Sequence, residues 1–395
     1  TLTHDSITGL GMTDGIVYTG MEQLEIFLGT GDDEFVVEST MAGKEGFRAV
    51  TLVNTGEGDD TVTVYLHAGI DGFFALNTEA GDDIVDAAAS TLPLVIFGGE
   101  GDDEIYGGQR DDIIFGDRGR VDYRDEEGNL ITRLGLGLAE RTVLDPGEPE
   151  GSGTDVPLRQ GNGLGLSPIL ITSRDFAPGG MDTIYGNDGA DIILGGALGD
   201  TIHTGNGDNI VLGDAGRITF ADGAFDLIES TESSQGGDDE IFGSGGNDAV
   251  IAGDGNDTVK ISGGDNIVIG DNGRIDYGSI IPRSVQTTAP ASGGDDEILT
   301  GDGEDLVFGG TGNDTIVAGG DDGARDIVLG DNGRMTFGGN ESFAPGEESS
   351  IISFNFNGTA KNANVTGTAG ADEARAANWN NLAGGGDTVF GDEAG

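Results

Sequence analysis

The chain has 395 residues, with 72 Asp plus Glu against 18 Lys plus Arg, a formal charge of -54, 76 glycines and no cysteine. This excludes disulfides and thiolate metal sites, and it makes nucleic acid and anionic membranes poor partners, since both reward Lys and Arg. Such acidity favours disorder, but 35% hydrophobic residues at regular intervals favour a packed repeat whose self-repulsion calls for divalent counter-ions.

No apolar run approaches the roughly 18 residues of a membrane span. The chain begins without Met or a signal peptide and reads as a segment of a longer polypeptide. Residues 1–97 predict β-helix coils with long rungs. LVNTGEGDDTVTVYL (52–66) and ALNTEAGDDIVDA (75–87) each pair a strand, a Gly-Asp-Asp turn and a second strand. Asp33, Asp60, Asp83 and Asp103 stand 27, 23 and 20 apart, so the coils shrink along the chain. Residues 98–123 form a short roll carrying Asp103 and Asp112, and 124–180 a Gly/Pro-rich irregular excursion. In 181–220, Asp182, Asp191, Asp200 and Asn209 recur every nine residues. Each is followed two positions later by an aliphatic: Ile184, Ile193, Ile202 and Val211. An excursion at 221–235 precedes the roll 236–277, with Asp239, Asp248, Asp257 and Asn266 on the same beat. Another excursion, 278–292, precedes the roll 293–337, with Asp296, Asp305, Asp314 and, after an insertion, Asp326. Residues 338–385 are a further excursion with the single Trp379, and 386–395 open another roll at Asp387. Asn340, Asn357 and Asn364 fit the glycan acceptor pattern where that machinery exists.

Each roll leaves through a shared motif: GDRGRVDY (116–123), GDAGRITF (213–220), GDNGRIDY (270–277) and GDNGRMTF (330–337). An apolar residue (Val121, Ile218, Ile275, Met335) replaces the next Asp, and an aromatic follows two residues later. The motif predicts a last turn leading into a strand that leaves the roll. Ile275 and Tyr277 share one face of that strand, Arg274 and Asp276 the other. The exit Arg is expected where the next cation would have stood, with a solvated Arg as the alternative. Leu227-Ile228-Glu229-Ser230 and Ile351 to Phe356 are the expected hairpin partners. No helix is predicted.

The nine-residue unit resembles the RTX (hemolysin-type) calcium-binding nonapeptide G-G-x-G-x-D-x-U-x, where U is a large aliphatic. The resemblance implies an all-β fold, an elongated parallel β-roll/β-helix solenoid in which six residues make a turn and three a strand. By position it places liganding carboxylates on Asp182, Asp191, Asp200, Asp239, Asp248, Asp257, Asp296, Asp305 and Asp314. Further candidates on the same turns are Asp60, Asp83, Asp103, Asp112, Asp117, Asp214, Asp254, Asp271, Asp302, Asp331 and Asp387. Ser244, Ala252 and Leu198 depart from the pattern at glycine positions. Independently of the family, glycine turns that aim carbonyls beside a carboxylate make an all-oxygen site, which suits Ca2+ better than Mg2+. Successive units lie on opposite edges of a two-sided roll, so ligands pair across 18 residues: Asp239 with Asp257, Asp248 with Asn266.

No G-x-S-x-G, H-E-x-x-H or phosphate loop occurs, and His4, His67 and His203 are scattered. His203 takes an outward position, where a solvated side chain is expected. Acidic pairs such as Asp238-Asp239 and Asp295-Asp296 imitate a glycosidase dyad, but their place on a repeated turn favours metal. The expectation is a non-enzyme: a calcium-binding extracellular structural protein forming a rigid rod, surface layer, adhesin arm or head-to-tail filament. Two alternatives stay open: an RTX-type secretion and folding module of a larger secreted enzyme or toxin, and a carbohydrate-binding adhesin segment. Other copies of the chain are the expected partners, residues 387–395 beside 1–9, with extracellular glycans a further class.

Overall fold

Period-two strands separated by glycine turns must stack to bury their apolar faces, and the computed structural model shows how. It describes residues 1–42, 49–124, 130–135, 168–174, 179–231, 236–278, 282–319, 324 and 326–336, together with the backbone of strands 350–354, 360–364, 375–376 and 388–390. All regular elements among the described residues are strands. The chain forms two units, Thr1–Ile192 and Ile193–Gly395.

In the first unit the long rungs Gln23–Thr30, Val50–Glu57, Phe73–Ala80 and Val95–Glu100 stack in parallel, with Ile26, Val53, Leu76 and Ile96 in register. Beyond each turn the short strands Glu34–Val37, Thr61–Val64, Ile84–Asp86 and Glu104–Tyr106 stack likewise. Phe35, Val62, Val85 and Ile105 point inward and are fully buried. Gly56, at φ +113°, lies so close under the Gly29 carbonyl that no Cβ fits.

The second unit shows why alternate nonapeptides differ in composition. Thr201–Asn206, Glu240–Gly245, Thr258–Ile261, Glu297–Leu299 and Thr315–Val317 form one parallel sheet, called here the open sheet. Its aliphatics Ile202, Ile241, Val259, Ile298 and Ile316 face inward, while neighbours such as Thr258 and Lys260 are partly exposed. His203 is also half-buried, stacked on Phe242 at 5.0 Å rather than freely solvated. Ile210–Asp214, Ala249–Ile251, Ile267–Ile269, Leu306–Gly310 and Ile327–Asp331 form the opposite sheet. These strands carry apolar residues on both faces: Leu212, Ile269, Phe308 and Leu329 point away from the roll and are still buried. An all-apolar strand signals cover on both sides.

The cover is a third, antiparallel sheet built by the excursions. Gly216–Ala221 leaves the roll, turns at Asp222-Gly223 and returns as Ala224–Ser230; Gly273–Tyr277 and Pro282–Thr287 do the same, followed by Arg334–Thr336 and Ser350–Phe354. Asp222 and Gly223 have φ +52° and +78°, the signature of a tight Asp-Gly hairpin turn. Ile218, Ile228, Ile275, Val285 and Met335 line up in register and are at most 1% exposed. Each such burial is worth roughly 1.5–3 kcal/mol, an upper figure for an extended reference chain. The exit glycines admit this contact: a Cβ on Gly273 would lie 2.5 Å from Ile269 Cδ1, and one on Gly333 2.5 Å from Leu329 Cδ2. The first unit repeats the device: Gly119–Arg124 lies between Leu130–Leu134 and Pro168–Ser173, with Val121 opposite Ile171.

The expected hairpin partners are therefore found: Ile218 pairs Ile228, and Met335 pairs Ile351. The expectation for the exit arginines is corrected. Arg217 and Arg274 stand on the outer face of the hairpin sheet, paired with carboxylates there, whereas Arg334 Nε is buried without a hydrogen-bond partner. Arg274 contacts Asp276 at 2.5 Å and Glu229 at 3.0 Å, and Arg217 contacts Glu229 at 2.6 Å. In the first unit Arg120 and Arg133 both bind the buried Asp122. Strand alternation forces this, because the apolar residue beside each Arg (Val121, Ile218, Ile275, Met335) takes the inward face.

Candidate metal centre

The turn aspartates form ladders. On turns that lead into the open sheet, the backbone N–H of each residue donates to Oδ1 of its counterpart one rung on. In the second unit these are Asp200 to Asp239 (2.7 Å), Asp239 to Asp257 (2.8 Å), Asp257 to Asp296 (2.9 Å) and Asp296 to Asp314 (3.1 Å). In the first unit the same ladder runs Asp33, Asp60, Asp83, Asp103, Asp182. On turns that lead into the covered sheet, Asp112 donates to Asp191 in the first unit. In the second, Asn209, Asp248, Asn266, Asp305 and Asp326 follow one another. Asp239 thus neighbours Asp257, and Asp248 neighbours Asn266, across 18 residues. Asp248 and Asp257 lie on different edges.

A second ladder, on the exposed residue just before each ladder Asp, runs the opposite way. Asp82 donates its N–H to Asp59, Asn256 to Asp238, and Asp295 to Asn256. Sequence reading missed this role. Its signal was the Asp-Asp or Asn-Asp doublet at many of the turns, such as Asp82-Asp83, Asn256-Asp257 and Asp295-Asp296: the second residue points in, the first lies along the outside and clamps the next rung.

The exit-motif aspartates have a third role. Asp214 accepts from Gly237 N at 3.2 Å and Asp254 N at 2.5 Å, and Asp271 accepts from Gly294 N at 3.0 Å and from Thr311 N. Asp117 accepts from Gly180 N at 3.0 Å. Each binds the Gly-Gly at which the chain re-enters the roll, so it fastens the two ends of an excursion. Of the remaining candidates, the Asp254 carboxylate accepts from the Ser292 hydroxyl at 2.6 Å, Asp302 is exposed and Asp331 is half-buried. Asp387 lies outside the described residues.

The inward carboxylates are strongly frustrated. Asp60, Asp83, Asp103, Asp239, Asp257 and Asp296 are at most 2% exposed, and Oδ2 of each has no hydrogen-bond partner. Burial, then the like charges of neighbouring aspartates, pushes Asp103 and Asp296 up to about 10. Burial chiefly also raises Asp182, Asp214 and Asp271 to about 8, with neighbouring carboxylates adding to the push. A buried unpaired carboxylate costs several kcal/mol, so repeated ones require a compensating cation.

The space for one is cut by glycine. A Cβ on Gly213 would overlap both Asp239 Oδ2 and the Ala252 carbonyl oxygen. One on Gly270 would overlap Asp296 Oδ2 and lie 2.6 Å from the Gly309 carbonyl oxygen. Gly98 stands in the same way against Asp103 Oδ2 and the Gly116 carbonyl. Carboxylate and carbonyl oxygens with no nitrogen or sulfur fit calcium. Among the described residues no three Asp, Glu or His side chains converge on one point, so such a site draws on one or two carboxylates plus main-chain carbonyls.

Comparison with known proteins agrees. The family model for the RTX calcium-binding nonapeptide repeat (4 copies) matches residues 95–120, 179–202, 185–217, 234–259 and 290–324. Repeats of this kind form a β-roll and bind calcium ions in multiple turns. No curated protein matches the chain.

Proposed function

We propose, from the premise that this is a protein of RTX calcium-binding nonapeptide repeats, that it acts outside the cell as a structural repeat protein without catalytic activity, folded by the calcium it meets there. The observation that carries this reading is the row of buried carboxylates whose Oδ2 atoms find no protein partner. A chain of charge -54 with such an interior is poorly folded where calcium is scarce and ordered where it is millimolar, so one chemical gradient separates synthesis from use. When bound, calcium supplies the positive charge the interior lacks. The chain's own residues align the rungs, through the two Asp/Asn ladders, and cover one flank of the roll with the hairpin sheet. Copies of the same chain are the partners this role calls for. The role is tested on the native cells with antibodies to the hairpin sheet. Labelling of intact cells, lost on washing with a calcium chelator, is expected. Signal seen only after permeabilisation would overturn the extracellular assignment.

A further inference from the structure

The hairpin sheet of the second unit ends in an aromatic cluster that the calcium-bound roll does not use. Phe220 lies near the end of the outgoing strand Gly216–Ala221, Phe225 near the start of the return strand Ala224–Ser230, and Tyr277 at the end of the next outgoing strand, Gly273–Tyr277. These three strands are neighbours in the sheet, and Phe220 pairs with Phe225 across the Asp222-Gly223 turn. The ring centroids of Phe220 and Phe225 are 5.0 Å apart and those of Phe225 and Tyr277 5.8 Å, with the planes tilted by 38° and 45°. All three residues are half-buried. In the first unit the matching exit aromatic, Tyr123, is 3% exposed and meets Phe73 edge-on. The position that fills the core in one unit therefore joins an added phenylalanine in the other, and together they keep ring surface open to solvent across three strands.

The polar groups around the cluster are free. Among the described residues, the Tyr277 hydroxyl, the Asp222 carboxylate and the Arg283 guanidinium have no hydrogen-bond or ion-pair partner. Burial pushes the Tyr277 hydroxyl up to about 12, so it stays a neutral donor. Asp222 is exposed in the turn that joins the two phenylalanine strands, at φ +52°. Arg283 is exposed too, and its stem crosses Gly278, the residue after Tyr277, where a Cβ would overlap Arg283 Nε. Asp226 accepts from the Thr219 hydroxyl at 3.3 Å on the same hairpin.

This combination selects among ligands. An apolar protein surface laid on the rings would strand the hydroxyl, the carboxylate and the guanidinium, at a cost for each. An anionic ligand meets a chain of charge -54. A neutral sugar ring has an apolar C–H face for an aromatic ring and hydroxyls that both donate and accept, so it satisfies both kinds of group at once. We infer that the cluster at the hairpin tips is a binding platform for a neutral polysaccharide, with Phe225 at its centre and Asp222, Arg283 and the Tyr277 hydroxyl taking sugar hydroxyls. This goes beyond the calcium reading and needs from it only a folded second unit.

The test uses the full chain in millimolar calcium, with cellohexaose and N-acetylchitohexaose as neutral probes and polygalacturonate as the anionic comparison. Calorimetry reads affinity, and saturation-transfer NMR reads which sugar protons touch the protein. At least one neutral probe should bind more tightly than polygalacturonate, with saturation strongest on the C–H protons of one sugar face. Phe225→Ala should weaken it by about 10-fold or more. Phe242→Ala, which removes a half-buried ring from the open sheet, should leave affinity unchanged. If Phe225→Ala fails to fold, Asp222→Asn and Arg283→Ala decide, since both side chains are exposed and the first keeps a residue suited to the turn. Each should weaken binding several-fold with the calcium-loaded melt unchanged. No binding of either neutral probe, tighter binding of polygalacturonate, or binding indifferent to the platform variants would overturn the inference. None of these results touches the calcium dependence of the fold, which circular dichroism in chelator reads separately.

Discussion

Gly273→Ala tests the contact between the hairpin sheet and the roll. The Gly273 φ lies outside the left-handed region, so alanine brings no backbone strain, only a methyl. That methyl would sit 2.5 Å from Ile269 Cδ1 and 3.0 Å from Ile269 Cγ2, about 1 Å inside ordinary contact. Ile269 is fully buried beneath the sheet, so either it leaves its rotamer or the strand lifts, at a cost of about 1–3 kcal/mol. At roughly 2–4 °C per kcal/mol for a unit of this size, thermal melting in saturating calcium should resolve the drop. The identity of the clash is checked by a second change. Ile269→Val removes Cδ1 and alone should cost about 0.5–1.5 kcal/mol. Combined with Gly273→Ala it should cost less than the two added, because the shortened side chain makes room. Strict additivity, or a Gly273→Ala melt equal to wild type, would refute the packing of the hairpin sheet on the covered strands.

Asp122→Ala should destabilise the first unit by about 3–5 kcal/mol, because it strands the Arg120 and Arg133 guanidiniums, which now donate to it at 2.8 and 2.9 Å. Arg217→Ala, which removes a partly exposed partner of Glu229, should cost no more than about 1 kcal/mol in the same melt. Burial raises the folded-state pKa values of Asp103, Asp182, Asp214, Asp271 and Asp296 well above the ordinary carboxylate value of 3.8. In chelator the folded form therefore binds more protons than the unfolded chain. Its stability is greatest below about pH 4 and is lost as pH rises through the folded-state values of about 8 to 10. Circular dichroism in chelator should accordingly show more β-structure at pH 4.5 than at pH 7.5; less at pH 4.5 would contradict the burial of these carboxylates. With calcium present the dependence reverses in part, since protons compete for the ligands.

Much of this fold is legible in the sequence because a repeat states its rule many times. The nine-residue beat of Asp239, Asp248, Asp257 and Asn266 gives the rung and the inward face, and the apolar residue after each exit Arg gives the departing strand. Two features needed the third dimension. Composition separates the two sheets plainly: Thr-Val-Lys at 258–260 has one apolar residue, Ile-Val-Ile at 267–269 has three. Only a covering layer explains the second kind, and the aliphatic beat alone did not reveal it. The exit arginines were misplaced for a related reason. Position within the nonapeptide suggested a cation's place, but the chain has already changed from roll to hairpin at that residue, and strand alternation sends Arg274 outward beside Glu229 and Asp276. The doublet's outer residue was passed over because attention fell on the carboxylate that faces in.

The central claim is that calcium, not protein contacts alone, holds these buried carboxylates together. The direct measurement is far-ultraviolet circular dichroism of the full chain at neutral pH, in millimolar calcium and then in excess chelator, with the radius followed by small-angle scattering. The predicted result is a compact β-rich chain that expands and loses its β-signal when calcium is withdrawn and recovers both when it returns. A spectrum and radius indifferent to the chelator would contradict the account.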